Sequence, residues 1–142
     1  MKEYISYADE KRKEMIRKSK TLLENKNDIV FAYIFGSFPN APSFRDIDIG
    51  IYVKEIMKDD VFDYELRLAD EIAAAVNVPF DIIDVRILNH APGHFLNSIF
   101  CRGTLLFCND QKFLSELIEN TSLNALANEN IAYESLKELV PN

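Results

Sequence analysis

Asp46 and Asp48 are the residues whose type and spacing speak first of chemistry. From Arg45 to Val53, Ile47, Ile49, Ile51 and Val53 alternate with Asp46, Asp48, Gly50 and Tyr52. A period of two is that of a β-strand with one face buried. The isoleucines are therefore expected inward, with both carboxylates side by side on the other face. Ionised carboxylates so placed repel one another and call for a counter-charge. Magnesium suits the role, because it takes oxygen ligands and is commonly held by one or two carboxylates plus substrate phosphates. Asp-x-Asp by itself is also what any half-solvated strand carries, so the pair alone decides nothing.

Gly36-Ser37 changes the balance. It directly follows Ile29-Val-Phe-Ala-Tyr-Ile-Phe35, an unbroken apolar run, and eight residues separate Ser37 from Asp46. Such a run reads as a strand buried on both faces. A glycine at its end lets the backbone approach a bulky anion, and the serine offers a hydroxyl and an amide as phosphate donors. Gly-Ser also makes an ordinary turn, and turn and phosphate cradle are compatible. Phosphate donors and metal ligands are thus expected at one place.

The elements that position them can be read along the chain. Residues 8 to 25 form an amphipathic pattern with Met15, Ile16, Leu22 and Leu23 on its apolar stripe. Pro39 and Pro42 keep the segment after Gly36-Ser37 irregular. Asp59 or Asp60 is a candidate cap for a helix to about Asn77, with Phe62, Leu66, Ala69, Ile72, Ala73 and Val76 at helical spacing and expected to cover the sheet. Phe80-Asp-Ile-Ile-Asp-Val85 reads as a third strand. A helix from about Gly93 to Arg102, a strand Thr104 to Phe107, a helix capped by Asp110 and a last helix from about Leu123 to Leu139 complete the order. In that last helix Leu126, Ile131, Leu136 and Leu139 recur. Helices and strands in this order predict an α/β (α+β) mixed sheet with helices packed against it.

Composition narrows the functional classes. The 142 residues fit one domain, 1–142, with its core at about 28–108 and flanking helices. A net charge of −7 argues against stable nucleic-acid binding. The charge is uneven: residues 1–27 carry eight of the sixteen Lys and Arg and a local balance of +3, the reading expected of a solvated helix face. No apolar run reaches membrane-spanning length, and the N-terminus has no signal-peptide layout, so a cytoplasmic location is expected. Cys101 and Cys108 are read as buried reduced thiols, and His90 and His94 carry too few partners for a zinc site. The Asp-rich stretches form no twelve-residue calcium loop.

Phe35-Gly36-Ser37 followed by Arg45-Asp46-Ile47-Asp48-Ile49 resembles the G-S-(x)n-D-x-D signature of the DNA polymerase β-type nucleotidyltransferases, and the chain's size resembles their minimal (MNT) members. The likeness extends to Phe80-Asp81-Ile82-Ile83-Asp84, similar to the strand that bears the family's third carboxylate. It also reaches Arg102-Gly103-Thr-Leu-Leu-Phe107, similar to the last strand.

The resemblance implies a polymerase β-like nucleotidyltransferase fold and transfer of a nucleoside monophosphate, AMP from ATP, to a hydroxyl. It implies that Gly36 and Ser37 bind the triphosphate and that Asp46 and Asp48 ligate two Mg²⁺. Asp81 is then the third acid, ligating metal and helping deprotonate the acceptor. Asp84, three residues on, is expected on the opposite side of the strand, as a local hydrogen-bond acceptor. The loop Phe38 to Phe44 lacks the basic residue and second glycine common in the family, leaving Arg45 as the nearest cation for a phosphate, or for the neighbouring acids. The minimal enzymes often pair with a HEPN-domain protein as antitoxin to its toxin, and some transfer AMP to that partner's tyrosine. The alternative is a catalytically weak binding module that neutralises a partner by contact.

Overall fold

The computed structural model describes residues 9–36 and 46–139, with residues 131–139 described by their backbone alone. Ser37, Arg45 and the intervening loop lie outside the described residues, as do the side chains of Ile131, Leu136 and Leu139.

A four-stranded mixed sheet lies between two pairs of helices. β1 (Ile29–Phe35) and β2 (Ile47–Val53) are antiparallel neighbours, β3 (Ile83–Ile87) runs parallel to β2, and β4 (Thr104–Cys108) is antiparallel to β1. The spatial order is β3-β2-β1-β4, so β3 is an edge. A parallel pair needs a crossover. Here it is α2 (Lys58–Val76), followed by a single 3₁₀ turn, Phe80–Ile82.

Strand alternation separates two cores. Ile47, Ile49 and Ile51 of β2, with Ile83, Val85 and Ile87 of β3, pack against Met15 and Leu23 of α1 (Asp9–Glu24) and against Leu68, Ile72 and Val76 of α2. On the other face Phe31 and Tyr33 of β1 meet Leu96 and Ile99 of α3 (Gly93–Arg102) and Leu114 of α4 (Gln111–Leu139). Phe31 stacks on Tyr52 at 5.2 Å between ring centres, and Tyr52 in turn meets Phe113 at 5.0 Å. β1, covered on both sides, accordingly has no polar residue, as its sequence requires.

Side chains also close the strand ends. Asn89 pairs its amide with both backbone groups of Val53, donating at 2.7 Å and accepting at 3.0 Å. The α2 helix is tied to the segment before β1 by the Tyr64 hydroxyl, which donates to Asp28 at 2.8 Å. Burial, followed by the bond to Asp28, pushes the Tyr64 phenol well above its ordinary range.

Several sequence expectations are corrected. No break separates the last two helices: α4 runs unbroken from Gln111, its first turn capped by Asp110, whose carboxylate accepts from Phe113 N–H at 3.0 Å. No glycine or proline lies between Gln111 and Leu139 to stop it. Leu126 is exposed, as is Cys101, while Cys108 is half-buried. Met57, rather than an aspartate, is the N-cap of α2 and makes no side-chain cap bond. Phe62 and Leu66 do not cover the sheet; they are 67% and 51% exposed.

The inward face of α2 supplies a direct test. Ile72 is fully buried between sheet and helix, so Ile72→Ala is expected to cost about 2–5 kcal/mol. Urea unfolding should show a lower midpoint with an unchanged m-value.

Candidate active site

Gly36 ends β1 with φ +78°, a left-handed conformation open to glycine at no steric cost. A second constraint acts on the same residue. Phe35 is in register with Asp48, and a Cβ added to Gly36 would collide with the Asp48 carboxylate. The glycine turn is therefore packed directly on the acid expected to face it.

The acids gather across two strands. Asp46 immediately precedes β2, and Asp48 is its second residue. The parallel register of β2 and β3 sets Asp48 opposite Asp84 and Gly50 opposite Arg86. Asp84 and Arg86 share a face by strand alternation, and Arg86 Nε stands 3.4 Å from Asp84 Oδ1. Burial is the largest cause that pushes the Asp48 carboxyl up to about 6; the negative charges of Asp84 and then Asp46 push the same way, and Arg86 opposes them. Protonated, Asp48 donates a hydrogen bond to Asp84.

Asp81 stands elsewhere. It lies exposed on the 3₁₀ turn Phe80–Ile82, where Ile82 N–H reaches Pro79 O at 3.2 Å, and it is not among the charges acting on Asp48. The strand expected to begin at Phe80 begins at Ile83. Had the strand extended back to Asp81, alternation would have set it on the face of Ile83, Val85 and Ile87, the core face. The structure thus brings Gly36, Asp46, Asp48 and Asp84 together and leaves Asp81 outside that group. The signal that could have selected Asp84 was in the sequence: it is the acid on the opposite face to those three apolar residues. His90 Nε2 lies 3.2 Å from the carbonyl oxygen of Ile56, which can only accept, so this nitrogen carries the hydrogen.

The donor set is hard oxygen throughout, the kind that suits magnesium. Among the described residues no group of three or more His, Cys, Asp or Glu side chains is placed to hold a metal ion by itself. One or two carboxylates with phosphate oxygens completing the shell is the usual arrangement for magnesium. The elevated Asp48 carboxyl is consistent with that: negative charge is concentrated here beyond what Arg86 offsets.

A mixed sheet between helix pairs, with a strand–glycine turn facing a two-strand acid cluster, defines a protein of the nucleotidyltransferase class. The family described as Polymerase beta, Nucleotidyltransferase matches residues 17–112, and the chain belongs to that family. No curated protein matches the chain. Among solved structures it is similar to a tri-AMPylated Shewanella oneidensis HEPN toxin in complex with its MNT antitoxin, at 18% identity and a TM-score of 0.65, over 90% of this chain and 98% of that one. It is also similar to the toxin–antitoxin MntA–HepT, at 16% identity and a TM-score of 0.60, over 93% and 98% of the two chains. A toxin–antitoxin structure with AMP-PNP gives 17% identity and a TM-score of 0.61, over 94% and 98%. At these identities the likeness establishes a shared fold.

The Asp48 shift has a measurable sign. The folded carboxyl titrates near 6 against an ordinary value of 3.8, so between those pH values the folded state binds more protons than the unfolded one. Stability from this group therefore falls as pH rises through that window. Asp48→Asn removes the loss. Without divalent cations the variant is expected to gain stability over wild type progressively from pH 4 to pH 7, by on the order of 1–2 kcal/mol after solvent screening of a half-buried group. Urea melts across that range measure the difference.

Proposed function

We propose that this domain transfers AMP from ATP to a hydroxyl on a protein partner, and that it acts as the antitoxin of a HEPN-domain toxin. The observation that carries the reading is the packing of the Gly36 turn against Asp48 with Asp84 in register beside it. The named relatives support the biological half, being MNT and HEPN proteins in complex, one of them AMPylated.

In this reading Gly36 and Ser37 hold the triphosphate by backbone amides and the serine hydroxyl. Arg45, which precedes Asp46 in the sequence, is a candidate phosphate contact. Asp46, Asp48 and Asp84 would hold Mg²⁺ together with the phosphate oxygens, with Asp84 taking the place the sequence reading gave to Asp81. Magnesium bound there supplies positive charge at the phosphate oxygens and lowers the pKa of a bound hydroxyl. Asp84, at the edge strand, receives the proton of the acceptor hydroxyl. The freed oxygen forms a bond to the α-phosphorus, the bond from that phosphorus to the bridging oxygen breaks, and pyrophosphate leaves. Catalysis is then positioning and electrostatics, with no covalent enzyme intermediate. Among the described residues no helix is long and apolar enough to cross a membrane.

The sequence of the loop Phe38 to Phe44 favours a second reading, neutralisation of the partner by contact alone, because it offers no basic side chain to the triphosphate. Nucleotide binding separates the two. ATP with Mg²⁺ at a hundred times its dissociation constant should stabilise the wild type by about 2.7 kcal/mol, a rise in Tm of roughly 5–10 °C. The double variant Asp46→Asn, Asp48→Asn should lose the Mg²⁺-dependent part. An equal rise in both proteins would end the metal assignment.

The choice between the third acids is tested by transfer. Asp84→Asn is expected to bind ATP yet incorporate at least a hundredfold less label into protein from α-phosphate-labelled ATP in a host-cell extract, the scale of a lost general base. Asp81→Asn should remain near wild type. The reverse pattern would restore Asp81.

A further inference from the structure

α4 carries asparagine at Asn120, Asn124 and Asn128, four residues apart within an unbroken helix. Residues at that spacing lie one above the other, so the three carboxamides form a single row. Asparagine is among the weaker helix formers, because its carboxamide competes with the helix for backbone groups. The row therefore does not serve the helix that bears it. All three residues are exposed, and their carboxamides share no hydrogen bond with another described residue.

The row lines a groove of about 690 Å³ between α3 and α4. The opposite wall is the first half of α3, where Asn97 adds a fourth carboxamide and Gly93 adds no side chain. A Cβ placed on Gly93 would meet nothing within 4 Å, so the groove is open there. The adjoining row of α4, Leu117, Thr121 and Ala125, lines the same groove and gives it an apolar side.

The chain itself shows what such an amide does to extended backbone. Asn89 donates to the carbonyl of Val53 at 2.7 Å and accepts from its N–H at 3.0 Å, two bonds to the last residue of β2. In an extended segment every second residue turns its N–H and C=O to the same side, at a repeat of about 6.4–6.8 Å. Asparagines four apart on a helix repeat at about 6 Å. Three carboxamides thus follow alternate residues of an extended segment to within about 1–2 Å over the whole row.

A nucleobase suits the groove less well. Bases are held by stacking on aromatic rings as well as by their edges, and among the described residues no Phe, Tyr or Trp lines the groove. Charge completes the partner's chemistry. Glu129 lines the groove beside Asn128, and no Lys or Arg does so among the described residues. On a chain of net charge −7 the groove is complementary to a basic segment.

We infer that the α3–α4 groove binds an extended, basic segment of a partner protein, its backbone clasped at alternate residues by Asn120, Asn124 and Asn128. Such binding needs neither metal nor nucleotide and stands apart from nucleotidyl transfer.

The probe is a short peptide in which lysine alternates with valine, titrated into the full-length protein by fluorescence anisotropy. Two derivatives carry N-methyl groups on the lysines alone or on the valines alone, removing N–H donors from one side of the extended chain at a time. The wild type should bind the parent peptide. One methylated form should bind about tenfold or more weakly, and the other should bind like the parent. Asn120→Ala, Asn124→Ala and Asn128→Ala together should weaken parent binding by about tenfold or more. Alanine favours the helix, so the variant folds, which urea melts check. Asn130→Ala, about 200° around the helix from Asn128, should leave binding unchanged. Equal binding by the triple variant would overturn the inference. So would equal binding of the two methylated peptides, because side chains alone would then carry recognition. No binding at roughly millimolar peptide would do the same, as would a wild-type dimer that the triple variant converts to monomer. Binding of an oligoadenylate that the triple variant loses would assign the row to nucleobases instead.

Discussion

Repulsion between carboxylates on neighbouring strands is the constraint on which the rest of this molecule depends. Asp48 and Asp84 are opposite one another in a parallel pair, and Asp46 adds its charge from the same end of β2. Without a cation, such a cluster lowers its own cost by keeping a proton on Asp48 and leaning on Arg86. Neither device is strong: the proton is lost near neutrality and the arginine is more than half exposed. Ionised, the cluster holds like charges that burial makes costly, a cost that a cation would offset.

Everything around the cluster holds it in that condition. The isoleucines of β2 and the apolar residues of β3 anchor both strands to one core, so the acids cannot separate without unpacking it. Gly36 removes the last way out. Its missing Cβ is the space the Asp48 carboxylate fills, so the glycine turn and the acid are a single packed unit. The β2–α2–β3 crossover then fixes which strand lies at the sheet edge. Asp84 consequently lies on an edge strand of the sheet.

How much of this the sequence revealed depended on whether local pattern or tertiary placement decided each element. Asp46 and Asp48 were legible because four alternating apolar residues leave one parity for them. Gly36 was legible because it follows a run that no exposed strand could carry. The Asp81–Asp84 ambiguity arose because Phe80-Asp-Ile-Ile-Asp-Val85 has apolar residues on both parities, so its starting point mattered. Pro79, with φ −60°, leads into a 3₁₀ turn that removes Asp81 from the strand, and the parity of Ile83, Val85 and Ile87 then selects Asp84. The continuity of α4 was missed for a different reason. Thr121 and Ser122 are poor helix formers but not breakers, and Thr121 is buried by tertiary packing that a local pattern does not contain.

The periodicity of α2 shows what such patterns mean. A period of 3.6 says that a face is apolar along the whole helix, not that one sheet covers all of it. Here the sheet is four strands wide and ends at β3, while α2 has nineteen residues. The carboxy-terminal half of its stripe meets the sheet through Ile72 and Val76, and the amino-terminal half, through Phe62 and Leu66, meets solvent. The same crossover that brings Asp84 beside Asp48 sets that uncovered end of α2 beside Ile87, at the other end of β3 and on the other face of the sheet.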